Sequence, residues 1–119
     1  MPKYLTIVKG SENHAPPPPA LLEGIDQLMK DAGKRLVGVG GLLPSGKGAR
    51  ARLAKGKVAV TDGPFTEAKE VIGGWAIMRG ETKADVLRAS TEFLELHRKY
   101  WPDFECECEV RLIEAGFAI

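Results

Sequence analysis

Residues 62–70 read Asp-Gly-Pro-Phe-Thr-Glu-Ala-Lys-Glu. Four ionisable side chains, Asp62, Glu67, Lys69 and Glu70, follow one another closely around an Asp62-Gly63-Pro64 turn. An aspartate that opens a turn accepts backbone N–H bonds one or two residues on. Pro64 restricts Gly63 to extended shapes or to those only glycine reaches easily. Two roles follow. The corner is a rigid bend aiming one strand into the next, or it holds Asp62 and Glu67 at the mouth of a cleft. There an acid and a base would move protons, or the carboxylates would bind a cationic ligand. In the catalytic role Asp62 is the base or orienter, with Glu67 and His14 as helpers. Gly63, Pro64, Phe65 and Lys69, with Arg50 and Arg52, would line the pocket.

Other chemistry is thin. The two histidines, His14 and His97, stand in different settings. His14 lies in a loop ahead of the run Pro16–Pro19 and is expected to be exposed. His97 sits among Phe93, Leu94, Tyr100 and Trp101 and reads as a buried, hydrogen-bonded core residue. Ser11, Ser45 and Ser90 lack a nucleophile-elbow motif. Gly46-Lys47 lacks the glycine spacing of a phosphate loop, and neither a dinucleotide fingerprint nor zinc spacing occurs. Cys106 and Cys108 fall on one face of a strand, about 6.5–7 Å apart, a poor geometry for a disulfide. They read as small core residues. No metal or cofactor is expected.

Net charge is +1, from 17 basic and 16 acidic residues. That leaves no electrostatic footprint for direct nucleic-acid binding or an anionic membrane. No apolar run approaches the ~20 residues of a membrane span, and the N-terminus lacks the pattern of a signal peptide. A cytoplasmic protein is expected. A chain of 119 residues is one domain by the usual size prior, residues 1–119 together. It hides roughly 65% of its unfolded surface and can hold a core without staples.

The elements that must position these residues alternate in period. Lys3–Lys9 reads as a strand. Leu21, Leu22, Ile25, Leu28 and Met29 recur at helical spacing, and Gly33 ends the helix. Arg35–Leu43 is a second strand whose glycines suggest a bulge or a close approach by another backbone. Ala49–Thr61 folds on a Lys55-Gly56 turn. That register pairs Leu53 with Val58 and Ala51 with Val60 on an apolar face and sends Arg50, Arg52, Lys57 and Thr61 to the other. Val71–Arg79 is apolar on both faces, as a central strand would be. Thr82-Lys83-Ala84-Asp85 is a capping box opening a helix that Pro102 stops. Finally, Phe104, Cys106, Cys108, Val110 and Leu112 alternate with Glu105, Glu107, Glu109 and Arg111. The glutamates form an acidic ladder that needs counter-charge, for which Arg50, Arg52, Lys57 and Arg111 are candidates. The order β-α-β, hairpin, β-α-β predicts an α+β domain: a ferredoxin-like antiparallel sheet with two helices on one face and an extra hairpin. The other face needs a cover, and a second copy is the simplest one.

The 62–70 string, Gly40-Gly41-Leu42 with Pro44-Ser45, Lys57–Thr61 and Gly73-Gly74 followed by an aromatic resemble the DGPF branch of the YCII-related proteins. The resemblance implies a dimeric α/β barrel of two ferredoxin-like protomers packed sheet to sheet. It also implies a small protein of unassigned activity, in some cases encoded beside sigma factors. In the wider group a His–Asp pair is the proposed active site, with the histidine early in the first helix. Here that stretch is Ala20-Leu21-Leu22-Glu23, so Asp62 alone carries over. Two functions stay open: a small-molecule enzyme using Asp62 in a cleft, or a non-catalytic ligand-binding or regulatory module linked to sigma-factor transcription control. Expected partners are a second copy and a small-molecule ligand.

Overall fold

The computed structural model describes residues 1–65 and 71–117. Within them a four-stranded antiparallel sheet is built from β1 (Lys3–Gly10), β2 (Leu36–Gly41), β5 (Val71–Arg79) and β6 (Cys106–Leu112), in the order β2-β5-β1-β6. The helices α1 (Pro19–Ala32) and α2 (Lys83–Tyr100) connect β1 to β2 and β5 to β6. β3 (Ala49–Ala54) and β4 (Lys57–Asp62) form a separate two-stranded arm. This is the expected α+β, ferredoxin-like arrangement with its extra hairpin. Each connection follows from a local signal. Pro19 starts α1, where a missing N–H is harmless. Gly33, at φ 56°, closes it in a conformation that favours glycine. Thr82 and Asp85 form the capping box reciprocally.

The register sorts side chains cleanly. Thr6 pairs with Ala76 and Val110, and Val8 with Gly74 and Cys108. These face the helices, with Tyr4, and by strand alternation Leu5, Ile7, Trp75 and Ile77 face the other way. The fully buried anchors are Leu21 and Val86, both 1% exposed, on the two helices. The glycines of β2 have the role their weak strand propensity suggested, but a ring rather than a backbone makes the close approach. A Cβ on Gly40 would lie 2.7 Å from the Trp75 indole nitrogen, and one on Gly38 would lie 3.4 Å from the same ring. Trp75 thus lies across the bare backbone of β2, the packing by which an aromatic compensates strand glycines. The register also shifts between Leu36 and Gly38.

The arm matches its predicted register pair for pair: Leu53 faces Val58 and Ala51 faces Val60. Its turn takes positive φ at Lys55 (51°) and Gly56 (75°), which suits the right-handed twist of a two-residue hairpin. Among the described residues no helix is long and apolar enough to cross a membrane.

Candidate functional site

Helix α1 rests on α2, where Gly24 leaves room for the Leu96 side chain. It does not lie flat on the sheet. Its inward residues Ile25, Leu28 and Met29 stay only half-buried, and a cleft of about 870 Å³ opens between the helices and the sheet. That volume falls in the range of small-molecule sites. Thr6 and Val8 of β1 and Ala76 of β5 lie along it, with Cys106 and Cys108 at the β6 side.

Thr6 occupies a core-facing strand position and is 6% exposed. Its hydroxyl is the one buried side-chain polar atom without a hydrogen-bond partner among the described residues. A buried hydroxyl left unpaired costs about 1–3 kcal/mol. Nearby, His97 is 7% exposed and its Nδ1 lies 2.9 Å from the Phe93 carbonyl oxygen. The Nδ1–H donates there, because a carbonyl oxygen only accepts. His97 is thus the buried, hydrogen-bonded histidine that its sequence context suggests. Trp101 and Phe104 stack at 4.1 Å, and His14 meets both edge-on at 5.2 and 5.0 Å. His14 is exposed, its Nδ1 2.7 Å from the Ala15 carbonyl oxygen, and it borders the same cleft.

The charged groups of the cleft stand at its margin, Glu12 among them. Asp31, Arg35 and Glu92 on its margin are solvent-exposed. Lys9 is paired with Glu109 at 2.8 Å. Burial, reinforced by the neighbouring Cys106 and Glu107, pushes the Cys108 thiol up to about 11. A thiol held there stays protonated at neutral pH and behaves as a small apolar group. At pH 8 only roughly a thousandth of it is thiolate. In the folded protein, alkylation of Cys108 by iodoacetamide is therefore expected to be very slow at pH 8 and to rise about tenfold per pH unit toward pH 10. Rapid alkylation at pH 8 would contradict this environment.

A second polar cluster starts at Glu12, on the lining of the cleft. Glu12, in the β1–α1 loop, accepts from the Ser45 backbone N–H through Oε1 and from the Ser45 hydroxyl through Oε2 at 2.8 Å. Ser45 is 8% exposed, and its Oγ accepts from the Phe65 N–H at 3.3 Å. Gly63 donates to the Gly48 carbonyl at 2.9 Å. Three segments distant in sequence are thereby tied together: the loop after β1, the short turn Ser45–Lys47, and the corner after β4.

Among the described residues proposed from sequence for the site, His14 alone borders the cleft. Asp62 ends β4, opposite Ala49, and is exposed. Gly63, Pro64 and Phe65 belong to the corner latched by Ser45, and Arg50 lies 3.9 Å above the Phe65 ring. Arg52 stands exposed on the arm. None of these residues lines the cleft. Glu67 and Lys69 lie outside the described residues. Sequence reasoning missed Thr6, Glu12 and Ser45. Thr6 left a legible trace, a polar residue between Tyr4 and Val8 on the apolar side of a strand. Glu12 and Ser45 left none, because their partners are 33 residues apart. Among the described residues no group of three or more His, Cys, Asp or Glu is placed to hold a metal.

A model of the YCII-related domain matches residues 3–92 of this chain, from the first strand into the second helix. The chain belongs to the YCII-related domain family. A search of curated proteins found no match. The family match thus spans β1 and most of the cleft, while β6 of this YCII-related chain, with both cysteines, lies beyond the matched residues.

Proposed function

We propose that this YCII-related protein is a homodimeric binding module whose helix–sheet cleft takes an uncharged, largely apolar small molecule. The observation that carries the reading is the buried, unpaired hydroxyl of Thr6, a residue that lines that cleft. Such a group is satisfied when a ligand supplies one hydroxyl, carbonyl or N–H, and it specifies orientation in an otherwise apolar site. Surrounding groups argue for a largely apolar ligand: a protonated Cys108, margin charges at Asp31, Arg35 and Glu92 that are solvated, Lys9 paired with Glu109, and a Glu12 carboxylate already taken up by Ser45. The exposed position of Asp62, off the cleft, favours binding over proton transfer.

The dimer is argued from surface. The protomer measures 45 × 40 × 18 Å, with a radius of gyration of 15.9 Å, where a compact chain of this length has about 13.5 Å. It exposes 8728 Å², against roughly 6300 Å² for a compact protein of its mass. Leu5, Ile7, Trp75 and Ile77 stand half-exposed on the helix-free side of the sheet. A second copy packed sheet to sheet, as in a dimeric α/β barrel, would cover them.

Binding is tested by calorimetry with 1-naphthol, naphthalene and 1-naphthalenesulfonate. Naphthol is expected to bind best and the sulfonate not at all. Thr6→Val should weaken naphthol about tenfold, leave naphthalene unchanged, and raise unfolding stability by about 1 kcal/mol, because an unsatisfied buried hydroxyl is removed. Sulfonate binding as tight as naphthol, or equal losses for naphthol and naphthalene in Thr6→Val, would refute the reading.

A further inference from the structure

The β3–β4 arm cannot account for itself. All of its strand residues are exposed, with Leu53, Val58 and Val60 at 72, 71 and 70%. Among the described residues it shares no hydrogen-bonded ladder with the main sheet. A lone two-stranded hairpin is marginally stable in water, and a lone hairpin with three large aliphatic side chains on one face is an unfinished interface.

Strand β6 is unfinished in the complementary way. It pairs with β1 on one side only and forms an edge of the sheet. Its helix-side face carries Cys106, Cys108 and Val110, and its opposite face carries Glu107, Glu109 and Arg111, with Glu105 just before it. Glu109 is satisfied by Lys9 at 2.8 Å and Arg111 at 3.2 Å, which together hold its carboxyl below the usual range. Glu105 and Glu107 have no ion pair among the described residues. The arm alternates in the same period. One face carries Ala51, Leu53, Val58 and Val60, and the other carries Arg50, Arg52 and Lys57.

We propose that the arm of one protomer adds, through β3, to the β6 edge of a second copy. In one continuous sheet, β3 beside β6 would set Arg52 and its neighbours next to Glu105 and Glu107 on one face. Leu53 and Ala51 would then continue the face of Cys106, Cys108 and Val110 on the other. Added strands gain affinity from main-chain hydrogen bonds and specificity from alternate side chains, and opposite charges across strands stabilise while like charges do not. The other edge of the sheet, β2, reads Leu-Val-Gly-Val-Gly-Gly and offers the basic face no counter-charge. The arrangement rests on the homodimer proposed above and adds to it a specific contact: each arm reaches across to the partner's edge.

Sedimentation of the full chain across the micromolar range tests this, with circular dichroism confirming that each variant is folded. The double variants Glu105→Arg/Glu107→Arg and Arg52→Glu/Lys57→Glu should each weaken dimerisation at least about tenfold. Combining all four substitutions should restore most of the loss. Losses that add instead of cancelling would overturn the proposal. So would stability changes independent of protein concentration, which would mean that the arm folds onto the β6 of its own chain. If Trp75→Ala dissociates the protein while the charge reversals leave the dimer constant unchanged, the sheet-to-sheet dimer stands and the arm contact falls. A wild-type chain that is monomeric throughout removes both.

Discussion

Replacing Gly63 by alanine should destabilise the protein by about 3 kcal/mol in urea unfolding, with the steepness of the transition unchanged. The reason is a backbone contact. A Cβ at position 63 would stand 1.8 Å from the Ser45 carbonyl oxygen and 2.6 Å from its carbon. No rotamer relieves this, because the obstacle is main chain. One of the two segments must retreat, and neither is free to do so. Ser45 is held by both carboxylate oxygens of Glu12. Gly63 is held by its own bond to Gly48, and its neighbour Phe65 by the Ser45 hydroxyl. Separating them strands buried polar groups, each costing about 1–3 kcal/mol, on top of the overpacking itself. Gly46→Ala is the control. Nothing lies within 4 Å of a Cβ there and its backbone needs no glycine, so its effect should stay within about 0.5 kcal/mol. Equal effects at the two positions would show that the corner yields easily and that the Glu12–Ser45 latch does not hold it.

This contact bears on the role of the most distinctive stretch of the chain. The Asp62-Gly63-Pro64 turn presents itself in sequence as four charges around a bend, which suggests chemistry at Asp62. In the fold the glycine is the residue under constraint. The aspartate completes the β4 ladder and faces solvent. The rigid-corner reading therefore has a named physical basis: close main-chain packing of two loops under a carboxylate that caps one of them.

How much could be read in advance depended on the range over which each signal acts. The β3–β4 register follows from hydrophobic alternation and a two-residue turn within thirteen residues (49–61), and its pairs were legible one by one. The capping box of α2, the end of α1 at Gly33 and the two faces of β6 are likewise local patterns. The cleft was not legible. It exists because α1 leans on α2 and away from the sheet, a result of packing that no period records. Helix-facing Ile25, Leu28 and Met29 look the same in sequence whether they meet a sheet or line a cavity. Glu12 and Ser45 escaped for a related reason. Their meaning lies in each other, and one loop carboxylate among 16 acidic residues carries no mark of its partner. The counter-charge for Glu109 proved to be Lys9 on the adjacent strand as well as Arg111. That pairing needs the strand order, in which β1 sits beside β6.

The strand order also sets up the largest expected effect on assembly. If the proposed dimer forms, Trp75→Ala should dissociate it and lower stability by about 3 kcal/mol at concentrations where the wild type is associated. Two losses combine. Within the protomer the indole lies over Gly38 and Gly40, so its removal bares the backbone of an edge strand that has little else to shield it. In the proposed dimer, Trp75 would be the largest side chain on a face shared with Leu5, Ile7 and Ile77, and buried tryptophans at the centre of an interface carry a disproportionate share of its energy. The two contributions separate by mass action. A partner that binds the folded chain raises its melting temperature with concentration. The wild type should show that slope and the variant should lose it, keeping only the fixed deficit from β2. A wild type whose melting temperature ignores concentration, together with a variant shifted by the same amount at every concentration, would mean that Trp75 serves β2 alone and that the helix-free face stands in water by itself.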